Sequence, residues 1–253
     1  MLNIILSRFR QGYHTNSYPL EAPDLPLRYR GLPKFISGSC TKGCTKCVLA
    51  CPTKAISKRK GITFDMGKCL FCTACVGACP TQAIIFSRDH CLAVRERSHL
   101  KLKPEHPLEI AQPLEGRLYK MFSKSFSIRV VSAGGCNGCE VDTNVLQTIG
   151  WDINRFGIDF VTSPRHADAI LICGPITQNM KSALQKTIDA TPEPKLIIAL
   201  GTCAISGGIY ADRPEQCGGC DGTKLSPDLY IPGCPPHPLT ILDGLLRLLG
   251  KME

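Results

Sequence analysis

Two cysteine runs, each closed by a proline, constrain this chain more than any other feature of its sequence. The downstream run has the spacing C-x2-C-x2-C-x3-C-P, and the upstream run is a near-copy of it. Thiolates at this spacing hold cubane iron–sulfur clusters. Two such runs in tandem therefore predict two [4Fe–4S] clusters and a protein that carries electrons. The runs are Cys40, Cys44, Cys47, Cys51, Pro52 and Cys69, Cys72, Cys75, Cys79, Pro80.

The runs lie inside an internal repeat. Residues 51–57 read C-P-T-K-A-I-S, and residues 79–85 read C-P-T-Q-A-I-I. Residues 61–65, between the two copies, alternate as a short strand does. The repeat predicts an α+β two-cluster ferredoxin domain over residues 35–90, in which strand, cluster loop and short helix occur twice. Three residues rather than two separate Cys40 from Cys44, and we expect this longer loop to alter the exposure and potential of its cluster.

The chain has sixteen cysteines, far more than packing requires. Their number indicates either disulfides in an oxidising compartment or metal ligands in a reducing one. The apolar run within residues 1–10 is too short for a secretory signal, and no apolar stretch reaches the length of a membrane span. We therefore expect a reducing cytoplasm in which cysteines serve as metal ligands, rather than an extracellular disulfide scaffold.

The net charge of +9 is concentrated in the first half of the chain. Residues 1–127 carry a net +12, whereas residues 128–253 carry a net −3. A basic excess suits nucleic acid or an anionic surface, but a cluster held by four thiolates is itself an anion that nearby cations offset. Because no nucleic-acid-binding motif interrupts the basic segments, we expect no nucleic-acid partner. The cations near the two runs are Lys42, Lys46, Lys54, Lys58, Arg59, Lys60 and Lys68.

The segments on either side of the repeat are expected to connect rather than to form domains. In an N-terminal arm, residues 1–34, apolar side chains fall at helical spacing over residues 2–9, and the prolines from Pro19 onwards forbid a long helix. The arm is predicted to drape over a partner, with an amphipathic foot at a membrane as the alternative. Residues 91–126 are charged and contain prolines, so they are predicted as a linker with a helical piece over residues 114–122.

The composition changes at residue 127, where a second domain is predicted to run to residue 253. Residues 127–131 are predicted to form a strand, and residues 169–173 and 196–200 are continuous apolar runs of the kind found in fully buried parallel strands. Helices are predicted over residues 140–148 and 177–190. Alternating strands and helices predict an α/β domain with a parallel sheet, and ligands of such sheets gather at the carboxyl ends of the strands.

Four more cysteines lie in the loops that follow those elements, and each is flanked by glycine or proline. Glycine lets backbone N–H groups approach sulfur closely, and proline stiffens a loop. Four thiolates are the number that a cubane needs. A third cluster is therefore predicted at Cys136, Cys139, Cys203 and Cys234.

These motifs carry a resemblance to a known family. Residues 127–250 resemble the small subunit of membrane-bound, energy-converting [NiFe] hydrogenases, itself similar to the 20 kDa subunit of respiratory complex I, and this implies a flavodoxin-like parallel sheet. The front half, including residues 17–20 and 29–31, resembles the polyferredoxin subunit of formate hydrogenlyase, so the chain resembles two such subunits fused end to end. The two-residue spacer between Cys136 and Cys139 is the hydrogenase form, whereas the complex I subunit has adjacent cysteines there. The matching stretches are residues 135–140, 163–168, 174–177, 201–208 and 231–236.

The ligands can be assigned to three sets, because the fourth cysteine of each ferredoxin run ligates the cluster of the other run. We name these sets the first, second and third cysteine groups. The first group is Cys40, Cys44, Cys47 and Cys79; the second is Cys51, Cys69, Cys72 and Cys75; the third is Cys136, Cys139, Cys203 and Cys234.

Four cysteines stand outside these groups. Cys91 and Cys173 occur singly and are predicted to be buried thiols. Cys217 and Cys220 have half-site zinc spacing and could compete for the third cluster, but we predict a loop feature of unknown purpose rather than metal ligands.

Other polar residues near the motifs have two interpretations each. The resemblance implies that Glu140 can face the large subunit and relay protons; the alternative is a carboxylate that caps the following helix. Arg165 and His166 are predicted to be structural or interfacial rather than catalytic. His237 either shapes access to the third cluster or lies on the surface.

The resemblance implies an oxidoreductase subunit that conducts electrons while bond chemistry occurs on a partner. Electrons are expected from a low-potential donor subunit, either formate dehydrogenase or a ferredoxin, and are expected to pass three [4Fe–4S] clusters to a [NiFe] hydrogenase-like large subunit that reduces protons or oxidises hydrogen. Membrane subunits of the complex are expected to hold the chain on the cytoplasmic face of the membrane. Two alternatives are a complex I-like quinone- or antiporter-linked oxidoreductase lacking nickel and a non-enzymatic assembly or sensor protein.

Overall fold

The computed structural model describes residues 2–36, 38–41, 43–58, 61–104 and 106–252; Lys42, Arg59 and Lys60, counted above among the cations, lie outside these ranges. The chain begins with helix α1 (Leu2–Gln11), whose apolar side chains Ile4 and Phe9 are largely exposed. Within the described ranges no helix is both long enough and apolar enough to cross a membrane.

The ferredoxin domain has the pseudo-twofold plan that the repeat predicts. Each half has a strand, a cysteine loop, a short helix and a second strand, and each strand pairs antiparallel with one from the other half. The first half is β1 (Pro33–Phe35), α2 (Lys46–Ala50) and β2 (Ile56–Ser57); the second is β3 (Thr63–Asp65), α3 (Ala74–Ala78) and β4 (Ile84–Phe86). Strand β1 pairs with β4, and β2 pairs with β3.

The segment over residues 91–126, expected as a linker, contributes to both domains. Strand β5 (Lys101–Leu102) pairs with β3 and extends the sheet of the ferredoxin domain to three strands. Helix α4 (Gly116–Phe122) lies where the helical piece was predicted, and Phe122 is buried in the second domain's core. The segment is therefore packed structure on both sides rather than a free connection.

The second domain is an α/β domain with a five-stranded parallel sheet, as predicted. Its strand order, β10-β9-β8-β6-β7, is that of a flavodoxin-like fold, and the strand order reverses between β6 and β8. The three strands predicted in this domain are present at β6, β8 and β9. In chain order the elements are β6 (Phe126–Ser132), α5 (Gly138–Val145), β7 (Ile158–Phe160), β8 (Ala169–Cys173), α6 (Gln178–Ala190), β9 (Leu196–Leu200), α7 (Gly201–Ser206), β10 (Leu229–Ile231) and α8 (Pro238–Leu248).

The two faces of this sheet are buried against different partners, because side chains alternate along a strand. Leu171 on β8 belongs to a core with α8 and α4. Its neighbours Ile170 and Ile172 belong to a second core that includes Phe64 and Met66 of the ferredoxin domain. The ferredoxin domain therefore packs directly on one face of the sheet.

The arm crosses the second domain of its own chain. Arg155 donates to the carbonyl oxygens of Asn16 and Tyr18, and the Tyr18 hydroxyl donates to Asp243 on α8 at 2.8 Å. The Tyr29 hydroxyl lies 3.1 Å from the hydroxyl of Thr240 on the same helix. The part of the arm beyond α1 is thus tied to α8, while the apolar side chains of α1 face solvent.

Candidate iron–sulfur sites

The first cysteine group forms where the upstream cysteine loop meets the residue that follows α3. Burial raises the pKa of the Cys47 thiol; Lys58 opposes this, and Cys40 and Cys79 add to it. The Lys58 ammonium donates to Cys40 Sγ at 3.0 Å and to the carbonyl oxygen of Cys44 at 2.6 Å. Cys79 of the downstream run therefore lies near Cys47 of the upstream run, and Lys58 lies beside the three upstream cysteines of this group.

The second cysteine group is more deeply enclosed. Its four members line one small cavity together with apolar side chains that include Ile56, Phe64 and Phe86. Burial, together with the nearby Cys51 and Cys72, raises the pKa of the Cys75 thiol to about 11. Cys51 comes from the upstream run, whereas the other three members come from the downstream run. Each of the first two groups therefore takes its fourth cysteine from the other run.

The repeat produces the same local backbone twice, after the last cysteine of each run. Lys54 and Gln82, each three residues after the last cysteine of its run, both have a positive φ, of 53° and 49°. The following N–H groups then point back at sulfur: the Ala55 N–H donates to Cys51 Sγ at 3.1 Å and the Ala83 N–H donates to Cys79 Sγ at 3.3 Å. Such bonds favour the thiolate and tune a cluster's potential.

The third cysteine group lies at the carboxyl edge of the parallel sheet, beside the point where the strand order reverses. Cys136 follows β6, Cys139 lies in the first turn of α5, Cys203 lies in α7 directly after β9, and Cys234 follows β10. Burial, together with the nearby Cys234, Cys136 and Glu140, raises the pKa of the Cys203 thiol to about 12. The predicted four cysteines therefore meet at one place, where ligands of α/β sheets collect.

Glycines make room for these sulfur atoms. A Cβ on Gly201 would lie 2.6 Å from Cys139 Sγ, and one on Gly208 would lie 3.0 Å from Cys203 Sγ. A Cβ on Gly138 would lie 3.6 Å from Cys136 Sγ. The first two positions also have a positive φ, so glycine serves both the backbone turn and the close approach to sulfur.

The second and third groups adjoin each other. Cys72 is among the nearby thiols that raise the pKa of Cys234, after burial and Cys136. Arg97 holds the two domains together at this place, since its guanidinium forms bidentate hydrogen bonds to both Asp65, before the second group's loop, and Asp221, after Cys220. Sequence reasoning missed Arg97, because its partners are 32 and 124 positions away and no motif links them.

Comparisons with known proteins match both domains to known families. Residues 39–83 match the family described as "4Fe-4S dicluster domain", and residues 136–248 match "NADH ubiquinone oxidoreductase, 20 Kd subunit". The "Probable membrane-bound hydrogenase subunit mbhJ" of Pyrococcus furiosus is 36% identical over 54% of this chain and 81% of its own length. The chain belongs to the 20 Kd subunit family. A second relative, an NADH-quinone oxidoreductase subunit of Heliobacterium modesticaldum, is 42% identical over 48% of this chain and 69% of its own length.

Two further similarities cover smaller shares of the known proteins or align less closely. Formate hydrogenlyase subunit 7 of Escherichia coli is 41% identical over 55% of this chain, which spans only 54% of that relative's length. The solved structure of an archaeal membrane-bound sulfane sulfur reductase aligns with a TM-score of 0.47 and 33% identity, over 54% of this chain and 75% of that chain. The chain is thus an electron-transfer oxidoreductase subunit of the hydrogenase and complex I-like kind, with a ferredoxin domain joined to the 20 Kd subunit domain.

The residues present fit iron–sulfur cofactors. The four donors predicted at each site are thiols, the glycines at the third group leave a space at sulfur that a Cβ would fill, and burial raises the pKa of Cys75 in the second group and of Cys203 in the third. Several neighbouring thiolates repel each other and need a cation to exist together, and a coordinated metal deprotonates a thiol outright. When bound, an iron–sulfur cubane supplies one-electron redox chemistry.

Glu140 lies in the 20 Kd domain at the third group but does not cap α5 through its side chain. It occupies the first turn of the helix, and its Oε1 is buried without a hydrogen-bond partner among the described residues. A Cβ on Gly135 would lie 3.8 Å from that oxygen. The carboxylate therefore faces the crowded end of the sheet, and its role as a proton relay remains a prediction.

The three remaining candidates of the 20 Kd domain lie in two different environments. Arg165 and His166 lie in an exposed turn, Pro164–His166, away from the cysteine groups in the fold. His237 is partly buried: its Nδ1 accepts from the N–H of Leu239 and so caps α8, and its ring packs edge-on against Trp151. His237 therefore has a structural role close to Cys234, and its side chain is half-buried rather than fully exposed.

The cysteines outside the groups differ from one another. Cys173 is fully buried, as predicted, whereas Cys91 is only partly buried and contacts Asp243 and Arg247. The loop of Cys217 and Cys220 passes behind α7, where a Cβ on Gly219 would lie 2.7 Å from the carbonyl oxygen of Cys203. This loop therefore contacts the backbone of the third group, and the prediction that Cys217 and Cys220 are not metal ligands stays a prediction.

Proposed function

We propose that this chain conducts electrons through three [4Fe–4S] clusters to a [NiFe] hydrogenase-like large subunit, which reduces protons or oxidises hydrogen. The first, second and third cysteine groups hold one cluster each. The donor is a low-potential subunit of formate dehydrogenase type or a ferredoxin. Membrane subunits of the same complex hold the chain on the cytoplasmic face of the membrane, and Glu140 relays protons beside the third group.

One observation carries this proposal: the twelve cysteines gather into three groups of four, and the second group adjoins the third through Cys72 and Cys234. A row of redox centres conducts only if neighbouring centres are close. The Cys136 and Cys139 spacer of two residues supports a hydrogenase-like partner, as does the similarity to hydrogenase subunits of Escherichia coli and Pyrococcus furiosus.

The test combines metal analysis with removal of one ligand. The purified complex is expected to hold about twelve irons in this chain, four for each cubane. Cys139→Ala should remove about four of them, spare the two ferredoxin signals in low-temperature spin-resonance spectra and abolish electron delivery to the partner. Cys217→Ala is the matched control and should leave iron content and hydrogen evolution unchanged. A reproducible content of about eight irons in the unmodified chain would reduce the number of clusters to two.

The second candidate function is a complex I-like, quinone- or antiporter-linked oxidoreductase that lacks nickel. The similarity to the NADH-quinone oxidoreductase subunit of Heliobacterium modesticaldum, at 42% identity, favours it. Nickel ligands would lie on the partner in the first case and be missing from it in the second. Nickel analysis of the purified complex therefore separates the two functions.

A further inference from the structure

Thr202 occupies the place where the second and third cysteine groups meet. It is 1% exposed, and it directly precedes Cys203 in α7. Its hydroxyl lies 2.6 Å from the carbonyl oxygen of Cys69 and 3.1 Å from that of Gly233, so one proton is shared unequally between two acceptors. Its own N–H donates to the same Gly233 oxygen at 2.9 Å.

Both carbonyl oxygens that accept from Thr202 belong to a proposed iron ligand or to the residue next to one. Cys69 is a member of the second group, and Gly233 precedes Cys234 of the third group. The hydroxyl therefore completes a bonded path from the Cys69 side chain, through its carbonyl oxygen and Thr202, to the backbone and sulfur of Cys203. Electrons tunnel more readily along covalent and hydrogen bonds than across an empty contact.

We propose that Thr202 is the positioning residue that holds the second cysteine group against the third and provides the bonded electron path between them. This inference rests on the proposed function, since it needs clusters at both groups. No bond forms or breaks in this role: one electron passes, and the proton stays on Thr202 Oγ1. The competing route is the direct approach of Cys72 and Cys234, which does not involve Thr202.

The chain offers a matched control for the hydrogen bond. One turn further along α7, the buried Ser206 hydroxyl donates to the carbonyl oxygen of Gly67 at 2.8 Å. This bond joins the same helix to the same loop, because Gly67 lies two residues before Cys69. It does not, however, sit between adjoining ligands. If these hydrogen bonds only hold the helix against the loop, substitution of Thr202 and substitution of Ser206 should have the same effect. If Thr202 provides the electron path, only substitution of Thr202 should slow electron transfer between the two sites.

The experiment measures electron movement inside the iron-loaded full chain. Photoreduced deazaflavin delivers electrons, and freeze-quenched spin-resonance spectra follow their redistribution from the second site to the third. Thr202→Val, which keeps the shape and removes the hydroxyl, should slow this redistribution about tenfold, the change that corresponds to about 1.4 kcal/mol. Iron content and midpoint potentials should stay those of the unmodified chain. Thr202→Ser should restore the rate, and Ser206→Ala should leave it within about twofold.

Each other outcome is decisive. An unchanged rate in Thr202→Val overturns the inference and leaves the proposed function intact, because the electron then crosses at Cys72 and Cys234. Equal slowing by Ser206→Ala also overturns it, since docking alone would explain the effect. If Thr202→Val and Thr202→Ala both lose iron while Ser206→Ala keeps it, the role is structural and the path is rejected. An unmodified chain without a third iron signal overturns the proposed function and this inference together.

Discussion

Gly201 and Cys139 approach so closely that a Cβ on residue 201 would stand 2.6 Å from the sulfur of Cys139. Gly201 also has a φ of +84°, a conformation that costs an L-residue about 1–2 kcal/mol. Gly201→Ala is therefore expected to displace Cys139 and to empty the third site, with a fall of about four irons per chain. Iron analysis and spin-resonance spectra of the purified chain measure this loss.

The matched control for that change is Gly150→Ala. Nothing lies within 4 Å of a Cβ at residue 150, and its φ is not positive. This variant should therefore keep the iron content of the unmodified chain. Full iron in Gly201→Ala would mean that the Gly201 loop and Cys139 can move apart without loss of the site.

Arg97 is expected to contribute more to stability than any exposed ion pair of this chain, because it joins two carboxylates across the domain boundary. Its side chain is 19% exposed, and its contacts are 2.8 Å to Asp65 and 2.9 Å to Asp221. Arg97→Ala leaves two partly buried carboxylates without their cation, which costs about 3 kcal/mol. Arg97→Lys should recover only part of this, since an ammonium cannot form the bidentate pairs. Urea denaturation, followed by circular dichroism, measures the free energy of unfolding.

The comparison pair for Arg97 is Lys54 with Asp212. These side chains are 79% and 85% exposed and lie 3.1 Å apart. An exposed pair of this kind contributes at most about 1 kcal/mol, so Lys54→Ala should barely move the unfolding midpoint. Equal effects of the two substitutions would contradict the assigned role of Arg97.

The cysteine groups could be predicted from the sequence because local repeats and short spacings encode them. The run from Cys69 to Cys79 and its copy each fold into one loop and one short helix, so the spacing alone carries the geometry. Two of the parallel strands could also be predicted from the sequence, because β8 and β9 are buried on both faces and are therefore continuous apolar runs. Residue patterns within one element were therefore sufficient for these parts.

The contacts between the domains could not be predicted in this way. Thr202 contacts Cys69 across 133 positions, and Arg97 contacts Asp221 across 124 positions. No periodic pattern or motif spacing in the sequence indicates either contact, because both depend on how the ferredoxin domain packs on the sheet. The same holds for β5, which was expected to be part of a linker because a two-residue strand is too short to show alternation.

Lys58 is expected to raise the reduction potential of the first site. Its ammonium donates to Cys40 Sγ at 3.0 Å, and a positive charge favours the reduced, more negative form of a cluster. Lys58→Gln should therefore lower the midpoint potential of that site, by at most about 60 mV, which is a tenfold change for a one-electron couple. Solvent around this exposed side chain keeps the shift small.

Redox titration monitored by spin resonance measures the potential of the first site. Lys54→Gln is the control, since Lys54 pairs with Asp212 rather than with sulfur. It should move the potential much less than Lys58→Gln does. A potential unaffected by the loss of Lys58 would mean that water replaces its hydrogen bond to Cys40.

Cys91 is expected to resist alkylation in the folded chain even at alkaline pH. Burial and the negative charge of Asp243 together raise the pKa of its thiol to about 12; the thiol lies 3.5 Å from an oxygen of that carboxylate. An unfolded cysteine has a pKa of about 8.5, and only the thiolate reacts. At pH 10, iodoacetamide should therefore label Cys91 about 100-fold more slowly in the native chain than in urea. Mass spectrometry of the peptide that contains Cys91 measures both rates.

The raised pKa of Cys91 also makes the free energy of unfolding depend on pH, and the direction of that dependence follows from proton binding. The folded thiol keeps its proton where the unfolded thiol has lost it, so the contribution of Cys91 is complete below about pH 8.5 and declines as the pH rises towards the folded pKa of about 12. Asp243→Asn removes the negative charge beside the thiol and should speed native labelling at pH 10. Tyr18→Phe removes another hydrogen bond of Asp243 without changing any charge, so its labelling rate should stay close to that of the unmodified chain. Equal acceleration by both variants would show that loosening of the arm, rather than the charge of Asp243, protects Cys91.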